Sequence, residues 1–221
     1  MRVVGVDLAH PLTSLVPSLD SAVLEVLAGT EQGLSASRIA RLAPRGTRAG
    51  QAPVLDRLVE HGVVLADPAG QGYLYRLNRE HVLAPVVLVA ARARVAIFER
   101  LAGAIAALDP KPLHASVFGS FARGEADSDS DIDVLVVTAH RGVPPAWDQQ
   151  VRAFEGRVLA WTGNRCHAMA FDLARVRTLA RDREPIVANW LDDAVLVFGE
   201  PLLSLLSQAG VGRRSKAGGS R

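Results

Sequence analysis

Two aspartates at the start of an apolar strand limit the fold of this chain more than any other feature. Asp131 and Asp133 are separated by Ile132, and four apolar residues follow them directly. Because side chains alternate between the two faces of a strand, both carboxylates are expected on one face. Two unpaired charges beside a buried strand are costly unless another group compensates them. The pattern therefore predicts a sheet that carries a cation site at one end.

The residues before this pair are suited to binding phosphate. Gly119 and Ser120 follow a predicted strand, and ten residues separate them from Asp131. A glycine lets the backbone approach a phosphate closely, and the serine adds a hydroxyl and an N–H group. Arg123 is a further phosphate ligand by residue type. Mg²⁺ typically takes one or two carboxylates plus substrate phosphate oxygens, so we expect Asp131 and Asp133 to hold Mg²⁺ beside a phosphate-bearing ligand.

Two other interpretations of the acidic segment need comparison. Asp127, Asp129 and Asp131 alternate with serines, which is also typical of a solvated acidic loop. A calcium-binding EF-hand would need glycine at the sixth position and glutamate at the twelfth. Counted from Asp127, those positions hold Ile132 and Thr138. The EF-hand is excluded, and the acidic loop remains the alternative.

Residues from about 113 to 172 resemble the nucleotidyltransferase superfamily that includes DNA polymerase β and the bacterial minimal nucleotidyltransferases. Its signature is a Gly-Ser or Gly-Gly pair, about ten residues, and then Asp-hydrophobic-Asp/Glu. Gly119-Ser120 and Asp131-Ile132-Asp133 match that signature. The resemblance implies transfer of a nucleoside monophosphate from an NTP, with Mg²⁺ or Mn²⁺, to a protein, RNA or small-molecule acceptor. Minimal nucleotidyltransferases often act as antitoxins, so it also implies a toxin-like protein partner.

One position departs from the superfamily pattern, which places a third carboxylate on a later strand. The matching strand, 166–171, contains no acid, and His167 stands where the acid is expected. Asp172 is the nearest carboxylate; it either completes the site or caps the following helix. The alternative function is a transcription regulator whose transferase domain is inactive and at most senses a nucleotide. A structural partner-binding module is the third option.

The first third of the chain predicts three short helices and a hairpin. Ser18 is placed to cap the first helix and Ser35 the second, while a third should run from about Arg48 to His61. Pro53 favours a later start near Gly50, because proline is tolerated in a first turn. Two extended runs follow, with the turn expected at residues 67–70. Residues 34–78, and the run LDRLVEHGVV in particular, resemble the winged helix domains of bacterial transcription regulators.

This resemblance implies DNA binding, which the local charge supports. Between residues 38 and 57 there are five arginines and one acid, whereas residues 1–84 as a whole are neutral. The second and third helices of such domains cross the DNA backbone and enter the major groove, where arginine pairs with phosphate or guanine. The expected DNA contacts are Arg41, Arg45, Arg48 and, on the wing, Arg76; Arg38 and Arg57 are weaker candidates.

The predicted organisation is therefore an α+β chain. It has a winged helix-turn-helix over 1–84, one connecting helix over 85–109, a polymerase-β-like nucleotidyltransferase domain over 110–208 and a disordered basic tail over 209–221. A single cysteine excludes an internal disulfide and a zinc cluster, and no segment has the ~20 apolar residues of a membrane span. With no secretory signal visible, we expect a cytoplasmic protein, and a homodimer is a further option.

Overall fold

The computed structural model describes residues 4–139 and 145–207. The chain is a mixed α+β protein with a mixed sheet, which confirms the predicted fold class. It divides into two compact units, Val6–Ile97 and, together, Met1–Gly5 and Phe98–Arg221. The predicted basic tail, 209–221, lies outside the described residues. In the part that is described, no helix is both long and apolar enough to span a membrane.

The first unit is built from five helices and a small antiparallel sheet. In chain order its elements are α1 (Pro11–Leu15), α2 (Leu19–Ala28), β1 (Leu34–Ser35), α3 (Ala36–Leu42), α4 (Arg48–Glu60), β2 (Val64–Ala69), β3 (Gly72–Leu77) and α5 (Ala84–Ala91). The sheet order is β1-β3-β2. Its apolar core contains Val23, Leu27, Ile39, Leu55 and Leu77, so helices and hairpin share one hydrophobic centre.

The helix starts follow the capping residues. The Ser18 and Ser35 hydroxyls accept backbone N–H groups of α2 and α3, as predicted. Thr47 caps α4 by accepting the Gly50 N–H at 3.2 Å, so α4 begins at Arg48. The start at Arg48 agrees with the predicted helix, and Pro53 consequently lies in the second turn, which excludes the alternative start near Gly50. A proline there removes one helical hydrogen bond.

The hairpin turn lies later than residues 67–70. Asp67 and Pro68 belong to β2, where they pair with Leu74 and Tyr73, and the chain reverses around Gly70. Gly70 has a φ of +59°, a conformation that glycine adopts without a steric cost. Proline is tolerated in β2 because this strand forms an edge of the sheet.

The predicted single connecting helix is two helices. After α5 the chain turns at Arg92 and continues as α6 (Ala93–Ala106), and the boundary between the two units falls inside α6. The Arg92 N–H donates to carbonyls three and four residues back, which ends α5. No glycine or proline marks this position, so the periodicity alone predicted a continuous helix.

The second unit holds a four-stranded mixed sheet with helices. After α6 its elements are β4 (His114–Phe118), α7 (Gly119–Arg123), β5 (Ile132–Thr138), α8 (Pro145–Thr162), β6 (Cys166–Asp172), α9 (Leu173–Arg181), α10 (Pro185–Asp192), β7 (Val195–Gly199) and α11 (Leu202–Ser207). The strand order is β6-β5-β4-β7. Strands β5 and β6 are parallel, and the other pairs are antiparallel. The α8 crossover provides the length that a parallel pair requires.

Both faces of β5 are buried, and one of them packs against helices α9 and α10. Leu135 and Val137 belong to a core cluster with Val176 of α9 and Trp190 of α10. Ile132, Val134 and Val136 alternate with them and are also buried. Because side chains alternate along a strand, Asp133 shares the face of Leu135 and Val137. The carboxylate therefore lies where this helix-covered face reaches the start of the strand.

Candidate functional site

The paired aspartates lie where three strands meet. Asp133 pairs with Phe118 of β4 on one side and with His167 of β6 on the other. Asp131 directly precedes β5, two residues before Asp133. Side-chain alternation, extended one residue before the strand, would place both carboxylates on one face, as the sequence predicts.

His167 shares this face. Its Nε2 atom is 3.2 Å from the Oδ2 of Asp131, and its backbone lies in register with Asp133 on the adjacent parallel strand. The His167 and Asp131 side chains are both about half exposed. In the part of the chain that the structure describes, a histidine thus lies beside the two carboxylates, and no third acid completes a metal-binding group with them.

Asp172 is separated from the pair. It lies in register with Thr138 at the opposite end of β5, and its Oδ1 accepts the Arg175 N–H at 2.6 Å to cap α9. Five residues along a strand span about 16 Å, and an odd number of residues places Asp172 on the other face from His167. The structure does not bring Asp172 to Asp131 and Asp133, so the capping role is the one its geometry supports.

Gly119 is required where β4 ends. It has a φ of +75°, which disfavours any residue with a Cβ atom. A Cβ at this position would also lie 2.8 Å from Asp133 Oδ2. Glycine therefore leaves the carboxylate accessible, and Ser120 follows it at the start of α7.

A buried asparagine that sequence reasoning missed holds the loop before Asp131. Asn164 is 3% exposed, and its Nδ2 donates to the Ser130 carbonyl at 3.0 Å. Asp127 accepts from the Ser130 hydroxyl at 2.7 Å, which lowers the pKa of Asp127. A polar cavity of about 310 Å³ adjoins this loop and reaches Asp131. The only sequence signal was Gly163-Asn164 after a helix, a pattern common to many turns.

Arg123 is engaged differently from the prediction. Its guanidinium donates to Glu125 at 2.7 Å and to Asp193 at 2.8 Å. Both ion pairs are partly exposed, and such pairs contribute little to stability. A phosphate at Arg123 would therefore compete with these two carboxylates for the guanidinium or bind its remaining N–H donors.

The electrostatics of the pair fit an added cation. Burial and the nearby Asp131 charge raise the pKa of Asp133, while the neighbouring His167 lowers it. Within residues 4–139 and 145–207, no group of three or more His, Cys, Asp and Glu side chains is arranged to hold a metal ion. Two carboxylates that share one face still match the donor set of Mg²⁺ when substrate phosphates supply the remaining oxygens.

The raised pKa of Asp133 predicts how replacing this carboxyl changes the stability of the fold. A carboxyl whose pKa rises on folding stabilises the fold at pH below its unfolded value of 3.8 and loses that contribution as pH increases through the folded pKa. Asp133→Asn should therefore raise the melting temperature at pH 7, by about 2–4 °C for each ~1 kcal/mol gained.

Thermal unfolding followed by circular dichroism measures this difference. The difference in melting temperature between Asp133→Asn and wild type should shrink as pH decreases toward 3.8. Asp129→Asn, which replaces an exposed acid of the same loop, serves as the control. A lower melting temperature for Asp133→Asn at pH 7 would contradict the electrostatic argument.

The predicted DNA-contact arginines divide into two groups. Arg41 on α3 and Arg48 at the start of α4 are exposed. The Arg45 guanidinium donates to the Ser18 carbonyl at 2.6 Å and to the Ser21 hydroxyl at 2.7 Å. These hydrogen bonds connect the α3–α4 turn to α2, so Arg45 has a structural role that the prediction did not include.

Of the three remaining candidates, Arg38 on α3 is exposed and the other two pair with acids. Arg76 on β3 donates to Asp67 of β2 at 2.9 Å, across the wing. Both side chains of that pair are exposed, so Arg76 is able to exchange partners at low cost. Arg57, on α4, forms an ion pair with Asp20 of α2, whose side chain is largely buried.

A candidate nucleotidyltransferase from Sulfolobus solfataricus aligns at 22% identity over 46% of this chain and 77% of its own, with a TM-score of 0.29. TrmBL2, an archaeal chromatin protein, aligns at 12% identity over 96% of this chain and 100% of its own, with a TM-score of 0.30. No curated protein matches the sequence significantly. Residues 99–161, which include Gly119, Ser120, Asp131 and Asp133, match the family model described as a nucleotidyltransferase domain.

Proposed function

We propose that this chain is a DNA-binding protein whose second unit binds a metal–NTP complex and transfers the nucleoside monophosphate to an acceptor. The juxtaposition of Asp131, Asp133 and Gly119 carries the proposal. Asp133 lies in register with His167, whose Nε2 atom is 3.2 Å from Asp131 Oδ2, and Gly119 leaves room beside Asp133. The family-model match over 99–161 supports nucleotidyl transfer as the chemistry.

The residues of the site have distinct tasks in this reaction. Asp131 and Asp133 would hold Mg²⁺ or Mn²⁺, which supplies charge stabilisation to the phosphates when bound. The Gly119 backbone and the Ser120 hydroxyl would contact the triphosphate. The acceptor hydroxyl oxygen forms a bond to the α-phosphorus, the bond to the β-phosphate oxygen breaks, and pyrophosphate leaves. The acceptor proton would go to solvent or to His167, because among the described residues no third carboxylate joins the pair in a metal-binding group.

One observation favours a second candidate, a transcription regulator that binds nucleotide without turnover. Asp172 caps α9, and the position beside the pair holds His167. Without a third carboxylate the site has fewer oxygen ligands and lacks the usual proton acceptor, which favours slow chemistry. Both candidates require nucleotide binding at Asp131 and Asp133, and they differ in whether a product forms.

Incubation with each radiolabelled NTP and Mg²⁺ in a cell lysate distinguishes the two candidates. An enzyme should label an acceptor, and the Asp131/Asp133 double-alanine variant should not. A labelled protein of defined mass would identify the toxin-like type of partner. Nucleotide binding without any labelled product would establish the regulator instead. An equal product yield from the double-alanine variant would remove the site from both candidates.

DNA binding through α4 is the proposed role of the first unit. Arg48 is exposed at the start of this helix, and Arg41 is exposed on α3. In helix-turn-helix proteins the residues at the start of the recognition helix reach the base edges. Arg45 is omitted from the proposed contacts because its guanidinium bonds to Ser18 and Ser21.

Arg48→Ala should weaken DNA binding by about 1–3 kcal/mol if this side chain contacts a base. Gel shifts with genomic fragments measure the loss, and wild-type binding should decrease steeply with salt because phosphate contacts release counterions. Arg157→Ala, an exposed arginine on α8 in the second unit, is the matched control. A wild-type protein without any salt-sensitive complex would overturn the DNA-binding proposal.

A further inference from the structure

Helix α5 of the first unit has two apolar faces. Ala84 and Val87 are buried, and Val87 belongs to the core of this unit. Val86 and Val89 lie on the other side of the helix, 55% and 72% exposed. A surface helix usually presents charged or polar residues to water, and a helix that is apolar all round is normally buried. Residues 84–91 contain no charged or polar side chain at all.

The exposed face extends beyond the helix. Val82 and Leu83, in the turn that leads into α5, are 82% and 50% exposed. Val86 and Val89 lie one turn apart on α5, and Val82 and Leu83 directly precede the helix. These four exposed residues are here called the α5 patch. Its apolar area is on the order of 400 Å², a size that on monomers often marks an interaction site.

Charges flank the α5 patch in an antisymmetric way. Glu80 lies six residues before Val86, and Arg92 lies six residues after it; both are exposed. Arg79, next to Glu80, is held by the Thr30 carbonyl and Glu31. An acid before the helix and a base after it, each six residues from Val86, match a second copy of the same helix that runs antiparallel.

We propose that the α5 patch is a homodimer interface in which two copies of α5 pack antiparallel about a two-fold axis near Val86. In such an isologous contact the same surface serves both copies. Val86 meets Val86, and Glu80 of each copy lies beside Arg92 of the other. The patch supplies about half of the ~800 Å² that each partner contributes to a stable interface.

Sedimentation equilibrium of the full chain tests this interface. The wild-type protein should have twice the chain mass of 23.5 kDa. Val86→Lys places two ammonium groups together at the axis and should raise the dimer dissociation constant about a hundredfold or more. Leu159→Lys is the matched control, because Leu159 is 45% exposed and lies on α8 in the second unit. The control should remain dimeric.

The charge pattern provides a second test that leaves the helix intact. Glu80→Arg and Arg92→Glu should each weaken the dimer, and the double variant should restore it, because the swapped charges complement one another again. A monomeric wild-type protein would overturn the proposal, whether the patch is covered by the rest of the chain or by another protein. Equal dimer dissociation constants for wild type and Val86→Lys would overturn it as well, as would a double variant weaker than both single ones.

Discussion

Asp131→Ala is expected to abolish binding of Mg²⁺–NTP. Removing one of two carboxylates leaves a single charged oxygen ligand at the site, and Mg²⁺ depends on such ligands when phosphates supply the others. We expect the affinity to fall about a hundredfold or more, which corresponds to ~2.8 kcal/mol. Isothermal titration calorimetry with a non-hydrolysable NTP and Mg²⁺ measures the change directly.

The loop offers a matched control for this substitution. Asp129→Ala removes an acid of the same loop two residues earlier, at an exposed position. It should leave the affinity within about threefold of wild type, since exposed surface substitutions have effects of about 0.5 kcal/mol or less. Unchanged affinity in Asp131→Ala, or an equal loss in both variants, would show that the carboxylate pair does not hold the metal.

His167→Asp is expected to increase nucleotidyl transfer. His167 lies opposite Asp133 on the neighbouring strand, and its Nε2 is 3.2 Å from Asp131. A carboxylate at this position adds an oxygen ligand for the cation and a base for the acceptor proton. General base catalysis contributes typically 10²–10⁴-fold, so we expect a rise of about a hundredfold in the transfer rate at saturating Mg²⁺–NTP.

The control for this gain is His167→Asn. Asparagine offers an oxygen atom at the same position but does not accept a proton at neutral pH. If proton acceptance limits the reaction, only the aspartate variant gains rate. If the wild-type protein turns over rapidly and His167→Asp is slower, the prediction is wrong and the histidine itself is the functional group.

Local patterns carried the prediction of several elements. The run of β-branched and apolar residues defined β5, and the serine caps located the starts of α2 and α3. The relation between Asp131 and Asp133 was also predictable, because it depends only on alternation within one strand. Interactions over a few residues are encoded in the order of the chain.

Interactions between distant segments were decided by the tertiary structure. Strand register placed His167 beside Asp133 and carried Asp172 to the far end of β6, where it caps α9. Arg45 looked like a DNA contact by charge, but packing brought Ser18 and Ser21 within reach of its guanidinium.

The composition of the site therefore has two physical origins. Residues close in sequence, such as Gly119-Ser120 and the two aspartates, follow from local geometry that the sequence determines by itself. The positions of Asn164 and His167 and the capping role of Asp172 depend on which strands are neighbours and on their register. The strand order β6-β5-β4-β7 is a property of the whole fold. Register is specified by burial of one complete face, to which many residues contribute together, so no single motif contains it.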